Sequence, residues 1–342
     1  MDQSFLDNSL WRNIYCLLAG DSAGCSARDY ASGLLPGGME WLAFAITALA
    51  IIGLVINGVL GGVIVLIWGE RRLFGRFQSR TGPNRWGPFG MLTSVADAIK
   101  TMFKEDVVPV DADRILFNLA PILIATPALL VFAVIPFGIG TYVADLNVGV
   151  LFFLALSSIA VYSVVLAGWS SGSKYPLLGG VRASAQMISY EAAMGLSLVP
   201  VILYSGSMSM TEIVKSQEGH LSSPIPFLDA IVSFIPKWNV FPQFVAFAIF
   251  FVASIAEVNR APFDLVEAEQ ELVGGFHTEY SGFRFAMFFL AEYINMFNMC
   301  AITATFFLGG WLGPTFSNFL PPLISALMPA FWLGIKTFGL LF

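Results

Sequence analysis

Six carboxylates fall within one short stretch of this sequence, AEVNRAPFDLVEAEQELVGGFHTEY at 256–280: Glu257, Asp264, Glu267, Glu269, Glu271 and Glu279. The only fixed positive charge among them is Arg260. An apolar run precedes the stretch and another follows it, so the acids are pinned between two spans. Pro262 suits the first turn of a helix, with Asp264 near the positive end of its dipole. Asp264, Glu267 and Glu271 are then spaced i, i+3, i+7, which predicts three negative charges on one helical face. Like charges at that spacing cost roughly 0.2–0.5 kcal/mol per pair, so stability does not account for them. A solvated acidic loop is the plain alternative, and the pinning of this loop between two membrane spans argues against it.

Two more acids lie inside apolar runs. Glu191 and Glu292 are each placed two to three turns into a predicted span, and Glu257 closes another. Ionisable groups in a membrane cost roughly 2.5–3.5 kcal/mol each and usually face the bundle interior. The simplest role is a neutral carboxyl that joins helices by hydrogen bonds. Ser189 and Tyr190 flank Glu191, and Tyr293 and Asn295 follow Glu292, so both have neighbours that could extend a proton chain. Burial favours the neutral form, which suits proton exchange near neutral pH. Both acids are expected at similar depth, about 12–14 Å from the helix ends at 1.5 Å per residue. His277 reads as a loop residue in contact with solvent, and Cys300 as packing.

The elements that must position these residues are membrane helices. The 342 residues are 57% apolar and 12% charged, with mean hydropathy +0.76; soluble domains carry about twice that charge. Seven apolar runs approach the roughly 20 residues that span a bilayer: 41–68, 115–137, 148–169, 183–204, 240–256, 285–310 and about 318–342. An all-α polytopic bundle is expected over 41–342, preceded by a polar N-terminal extension, 1–40. Between the spans lie loops 69–114, 170–182 and 257–284. Within the first, Met91, Leu92, Val95, Ile99, Met102 and Phe103 recur at helical spacing, predicting an amphipathic helix at the interface. Alternating the loops puts thirteen Lys and Arg residues on one side, Lys336 among them, and four on the other. The positive-inside rule makes the heavy side cytoplasmic and places the N-terminus outside. There, Ser209 and Glu212 form a capping box for a short surface helix. Three cysteines and two histidines are scattered, giving no iron–sulfur ligand set and no paired haem ligands. The spacing of Cys16 and Cys25 permits a loop but proves no disulfide.

The acidic stretch closely resembles the long inner loop of the quinone-site membrane subunit of respiratory complex I, AExNRxPFDLxExExELVxGFxxEYxG. In mitochondria that family is known as subunit 1. Gln270 and His277 stand at positions where the family varies. The run GERRLFGRFQSRTGPNRWGPFG and its continuation resemble the family pattern ERKxxGxxQxRxGPNxxGPxGxLQxxADxxKxxxKE. Arg72 replaces the usual Lys, Thr81 a base and Thr93 the usual Gln. The resemblance covers residues from about 53 to 342. Family members continue into a basic loop and an eighth span, whereas this sequence ends inside the seventh.

By this resemblance Arg71, Arg80, Asp97, Lys100, Arg182, Arg260, Asp264, Glu267 and Glu271 line the quinone cavity or its contact with soluble subunits. Glu191, Glu257, Glu269, Glu279 and Glu292 match the buried acidic path towards antiporter-like subunits. The resemblance implies quinone as substrate, and no metal, flavin or self-contained catalytic residue in this chain. It also implies soluble iron–sulfur partners on the cytoplasmic side, small and antiporter-like membrane subunits, no nucleic acid, and a bacterial inner membrane. Two alternatives remain open. One is the related subunit of a proton-reducing membrane-bound hydrogenase. The other is an autonomous secondary ion transporter, which matching interrupted half-repeats would support and which do not stand out here.

Overall fold

The computed structural model describes residues 8–19, 40–138, 140–220, 236–264, 269–314 and 322–342. Among them the ordered elements are helices, with isolated bridges such as that between His220 and Pro236 and no strand. Five helices are long and apolar enough to cross a membrane: Trp41–Phe77, Arg114–Ala133, Gly149–Ser170, Lys174–Ser205 and Gly282–Phe307. Two shorter apolar helices, Phe244–Glu257 and Leu327–Leu341, complete the seven expected segments. The protein is an all-α polytopic membrane protein.

We label the helices in chain order: α1 (Ser9–Ala19), α2 (Glu40–Phe77), α3 (Leu92–Met102), α4 (Arg114–Leu130), α5 (Gly149–Ser170), α6 (Lys174–Ser205), α7 (Met210–Ser216), α8 (Phe244–Glu257), α9 (Glu269–Leu272), α10 (Gly282–Phe307) and α11 (Pro322–Leu341). The core lies where α4, α5, α6, α8 and α10 meet. Phe117, Phe132, Phe153, Phe250, Phe306 and Phe307 are fully buried there. Pro121 lacks the N–H that would bond the Phe117 carbonyl four residues back. The Tyr280 hydroxyl donates to that carbonyl instead, at 3.3 Å.

Three boundaries differ from the sequence reading. First, α2 runs nine residues past Trp68, to Phe77. Its 38 residues reach ~57 Å at 1.5 Å per residue, well beyond a hydrocarbon core of ~30 Å. The inner loop therefore starts at 78, not 69. Second, α6 begins at Lys174, so loop 170–182 shrinks to a tight turn and Arg182 is helical. Gly172 makes that turn possible: its φ is +65°, and a Cβ there would stand 2.7 Å from the Asp111 carbonyl oxygen. Both errors have one cause, since hydropathy marks where a helix leaves the apolar layer and not where it stops. Third, α8 has 14 residues, about 21 Å, too few to cross a bilayer alone.

Helix α3 forms as expected, and Leu92, Ile99, Met102 and Phe103 are exposed along it. Helix α7 is capped by Ser209, whose Oγ accepts from the Glu212 N–H at 3.5 Å. Just beyond it, buried Gln217 donates to the carbonyls of Ile213 and Thr305 and accepts from the N–H groups of Asn239 and Gly309. Lys336 also departs from expectation. Its Nζ donates to the carbonyls of Leu308 (2.7 Å) and Gly310 (2.9 Å) and lies 4.5 Å from the Trp238 ring centre. Its charge thus sits at the carbonyl end of α10, beside the loop assigned to the opposite side. A cation there complements the helix dipole, and the charge split becomes twelve against five.

Helix α1 lies in the N-terminal extension and packs on α2 through Trp11 and Phe44, with ring centres 5.5 Å apart. Cys16 on α1 is disulfide-bonded, Cys300 is a buried free thiol, and Cys25 lies outside the described residues.

Candidate functional site: a charged cluster joined to a buried acidic cavity

The site forms where α8 ends early. Val258 closes the helix, and Asn259 turns the chain with φ +56°, a left-handed conformation that Asn tolerates better than most residues. Pro262 follows a cis peptide bond within this turn. The predicted helix start at Pro262 is therefore not observed, and α9 is a single turn at Glu269–Leu272. Asp264 is exposed and non-helical, so it shares no helical face with Glu271; Glu267 lies outside the described residues.

The turn delivers Arg260 into a cluster of acids from two other helices. Its Nη1 lies 3.0 Å from Oε1 of Glu70 on α2, and its Nε 2.8 Å from Oε1 of Glu292 on α10. The Tyr293 hydroxyl donates to Glu70 Oε2 at 2.6 Å, and the guanidinium stands 4.7 Å from the Tyr293 ring centre. The three charged side chains keep only 22–28% of their exposure. Burial alone would lower the Arg260 pKa, but Glu292, Tyr293 and Glu70 outweigh it and hold the pKa above the usual arginine range. Two carboxylates and one guanidinium leave the cluster one negative charge in excess.

A cavity of about 240 Å³ opens beside Glu292 and runs to Glu257. Glu257, Asn259, His277, Glu292 and Asn295 supply its polar lining, and Phe276, Phe285 and Phe288 much of the rest. It is smaller than the roughly 300–1,000 Å³ of ligand pockets and suits several waters better than a long-tailed ligand. Glu257 is 5% exposed, and its buried Oε2 has no hydrogen-bond partner among the described residues. Leaving such a group unpaired costs on the order of 1–3 kcal/mol or more. The polar, roomy cavity offers water as the partner.

A second void of about 20 Å³ continues from Glu257, Val258 and Asn295 to Ser157 on α5. The Ser157 hydroxyl donates to Glu191 at 3.0 Å, and the Ser158 hydroxyl donates to the same oxygen. The polar groups thus follow one another from Arg260 and Glu292 through Glu257 to Glu191. Glu191 is held by α5 and not by its chain neighbours: Ser189 bonds its own helix, and Tyr190 packs on Phe263. The distances from the helix ends are not both the roughly 12–14 Å expected. Glu292 stands 10 residues into α10, about 15 Å, and Glu191 17 residues into α6, about 26 Å.

The remaining sequence-predicted residues lie elsewhere. Arg71 pairs with Asp97, and Arg182 with Glu271 at 2.7 Å, all substantially exposed; such pairs contribute about 0–1 kcal/mol each. Arg80 donates to Gln78 at 2.6 Å, and Lys100 is exposed. Glu279 is half-buried and makes no hydrogen bond or ion pair among the described residues, and the Glu269 side chain lies outside them. His277 is half-buried, with less solvent contact than the sequence suggested. Its ring lies 5.0 Å from that of Phe276 and 5.3 Å from that of Phe285, and burial lowers its pKa to about 4, leaving it neutral at physiological pH. Among the described residues no group of His, Cys, Asp and Glu is placed to hold a metal.

Glu70 is the functional candidate that sequence reasoning missed. It is the only acid in the basic run 69–85, and it continues the buried face of α2 set by Val59, Val63 and Leu66. That periodicity was the available signal, hidden by ending the helix at Trp68.

The fold and the site together define a polytopic membrane protein whose helices enclose a charge cluster and a polar cavity. A family profile described as NADH dehydrogenase matches residues 49–342. The chain is 46% identical over 321 residues to an NADH-quinone oxidoreductase subunit of Koribacter versatilis, covering 87% of this chain and 86% of that one. It is 51% identical over 286 residues to the corresponding subunit of Geobacter sulfurreducens, covering 81% and 78%. It is 49% identical over 285 residues to NADH-quinone oxidoreductase subunit 8 of Rhodothermus marinus, covering 83% and 80%. The chain belongs to this NADH dehydrogenase family of NADH-quinone oxidoreductase subunits.

Proposed function

We propose that this chain is the membrane subunit that borders the quinone chamber and begins the acidic proton path of a proton-pumping, complex I-type NADH:quinone oxidoreductase. The observation that carries the reading is contiguity. Arg260, from the acidic loop, is paired to Glu292, and a polar cavity leads from there to Glu257 and on towards Glu191. Quinone is the substrate, and the electrons arrive through iron–sulfur subunits docked on the loops at 78–113 and 258–281. By the charge bias those loops face the cytoplasm of a bacterial inner membrane, with the N-terminus outside. The pairs Arg71–Asp97 and Arg182–Glu271 are exposed, which supports a role in meeting the soluble partners. Small and antiporter-like membrane subunits receive the charge displacement at the far end.

In this scheme reduction of quinone draws protons from the loop end and changes the charge near Arg260. The excess negative charge shared by Glu70 and Glu292 responds first, and Glu257 and Glu191 follow. The test is purification of the native complex through a tag on this chain. Iron–sulfur subunits should co-purify, and NADH oxidation should depend on added quinone. A chain that purifies alone, or a complex that evolves hydrogen without quinone, would refute the reading.

A further inference from the structure

We propose that Gln186 is the positioning residue that sets Arg260 between its two acids, an inference that rests on the function proposed above. Gln186 lies on α6, one turn before Tyr190 and Glu191, and reaches across to the turn that ends α8. Its Nε2 is surrounded by three acceptors: the carbonyls of Ala256 (3.0 Å) and Phe263 (2.9 Å) and the Oδ1 of Asn259 (3.2 Å). Two of these are backbone oxygens, which cannot donate, so the amide orientation is fixed by its surroundings. The three contacts bracket the turn, one before Arg260 in the chain, one beside it and one after it. Asn259 is held in its left-handed conformation by a side-chain bond at the place where backbone strain must be offset.

Apart from the Arg260 ion pairs and the packing of Tyr190 on Phe263, the turn is tied by its own backbone. Arg260 N–H closes onto Ile255, and Phe263 N–H onto Arg260, both within the same segment. Gln186 supplies hydrogen bonds from a separate helix, the one that carries Glu191. Met187, the next residue, lines both the cavity and the smaller void. Gln186 therefore sets the Glu257–Arg260 segment relative to α6, and through it the position of the guanidinium against Glu70 and Glu292. It touches none of the charged groups itself and acts through Arg260.

The test is a double-mutant cycle in the purified, membrane-reconstituted complex, read as quinone reduction. Gln186→Met keeps the length and removes both donors. It should lower turnover by about tenfold, on the scale by which small misplacements of reacting groups slow enzymes. In an Arg260→Ala background the same change should cost less than about twofold, because residues that act through one another are not additive. Gln186→His, which retains one N–H donor, should recover most of the activity; Gln186→Leu, which also removes both donors, carries the same cycle if the Met variant does not assemble. An assembled Gln186→Met complex at wild-type turnover would overturn the proposal. So would losses that multiply in the double variant, which mark a general packing role. Absence of quinone turnover in the wild-type complex would instead refute the proposed function.

Discussion

Glu292→Gln and Glu191→Gln are each expected to leave the complex assembled while lowering quinone reduction and proton pumping together, by about tenfold or more on the scale of lost proton-transfer groups. Gln keeps the size and hydrogen bonding of Glu but cannot exchange a proton. The two sites test different parts of the path. At Glu292 the change also removes the ion-pair partner 2.8 Å from Arg260 Nε, taking the excess negative charge out of the cluster. At Glu191 the hydroxyls of Ser157 and Ser158 remain to bond the amide oxygen, so only proton exchange is lost. Asp at either site, one methylene shorter, should be milder. Quinone reduction and pH-gradient formation are measured in reconstituted vesicles, with assembly checked on native gels. Full pumping by both Gln variants would return these acids to a purely structural role.

Arg260→Ala is expected to reduce quinone turnover by about tenfold or more while electron entry into the iron–sulfur chain survives. Removing the guanidinium leaves Glu70 and Glu292 facing each other without a cation, and Tyr293 loses the charge over its ring. Breaking a buried pair by deleting one partner costs roughly 3–5 kcal/mol, and the residual 22–28% exposure of these side chains puts this site towards the lower end. The backbone turn should persist, because Gln186 binds backbone oxygens and Asn259, not the arginine. NADH oxidation by a water-soluble artificial acceptor reads electron entry, and decylubiquinone reduction reads the quinone end. Loss of both in an assembled complex, or of neither, would contradict the assignment.

The sequence reading and the structure part company for identifiable reasons. Helix identity was legible because seven apolar runs leave few alternatives, and the capping box at Ser209 located α7. Helix ends were not legible where a helix continues past the apolar layer, as α2 does through Glu70 and α6 through Lys174–Arg182. That single error concealed Glu70. Arg260 stood out as the one cation among the acids, yet its partners depend on how α8 terminates, which no local spacing encodes. The acidic face expected for Asp264, Glu267 and Glu271 assumed a helix from Pro262, and the chain forms a turn there instead. Sequence grouped Arg260 with the loop and Glu292 with the buried path; in the folded chain the two are in direct contact. Lys336 was placed by alternation of loops, whereas its long stem carries the charge back to the end of α10.

The central claim is that the buried acids change protonation as quinone is reduced, and Glu257 tests it most directly. It lies between the two voids, and its Oε2 has no hydrogen-bond partner among the described residues. Redox-triggered infrared difference spectroscopy of the purified complex, with and without quinone reduction, reads carboxyl protonation through the C=O stretch. The account predicts a carboxylic-acid difference band that shifts in D2O and disappears in Glu257→Gln. A spectrum unchanged by Glu257→Gln, in an assembled complex that still reduces quinone, would contradict it.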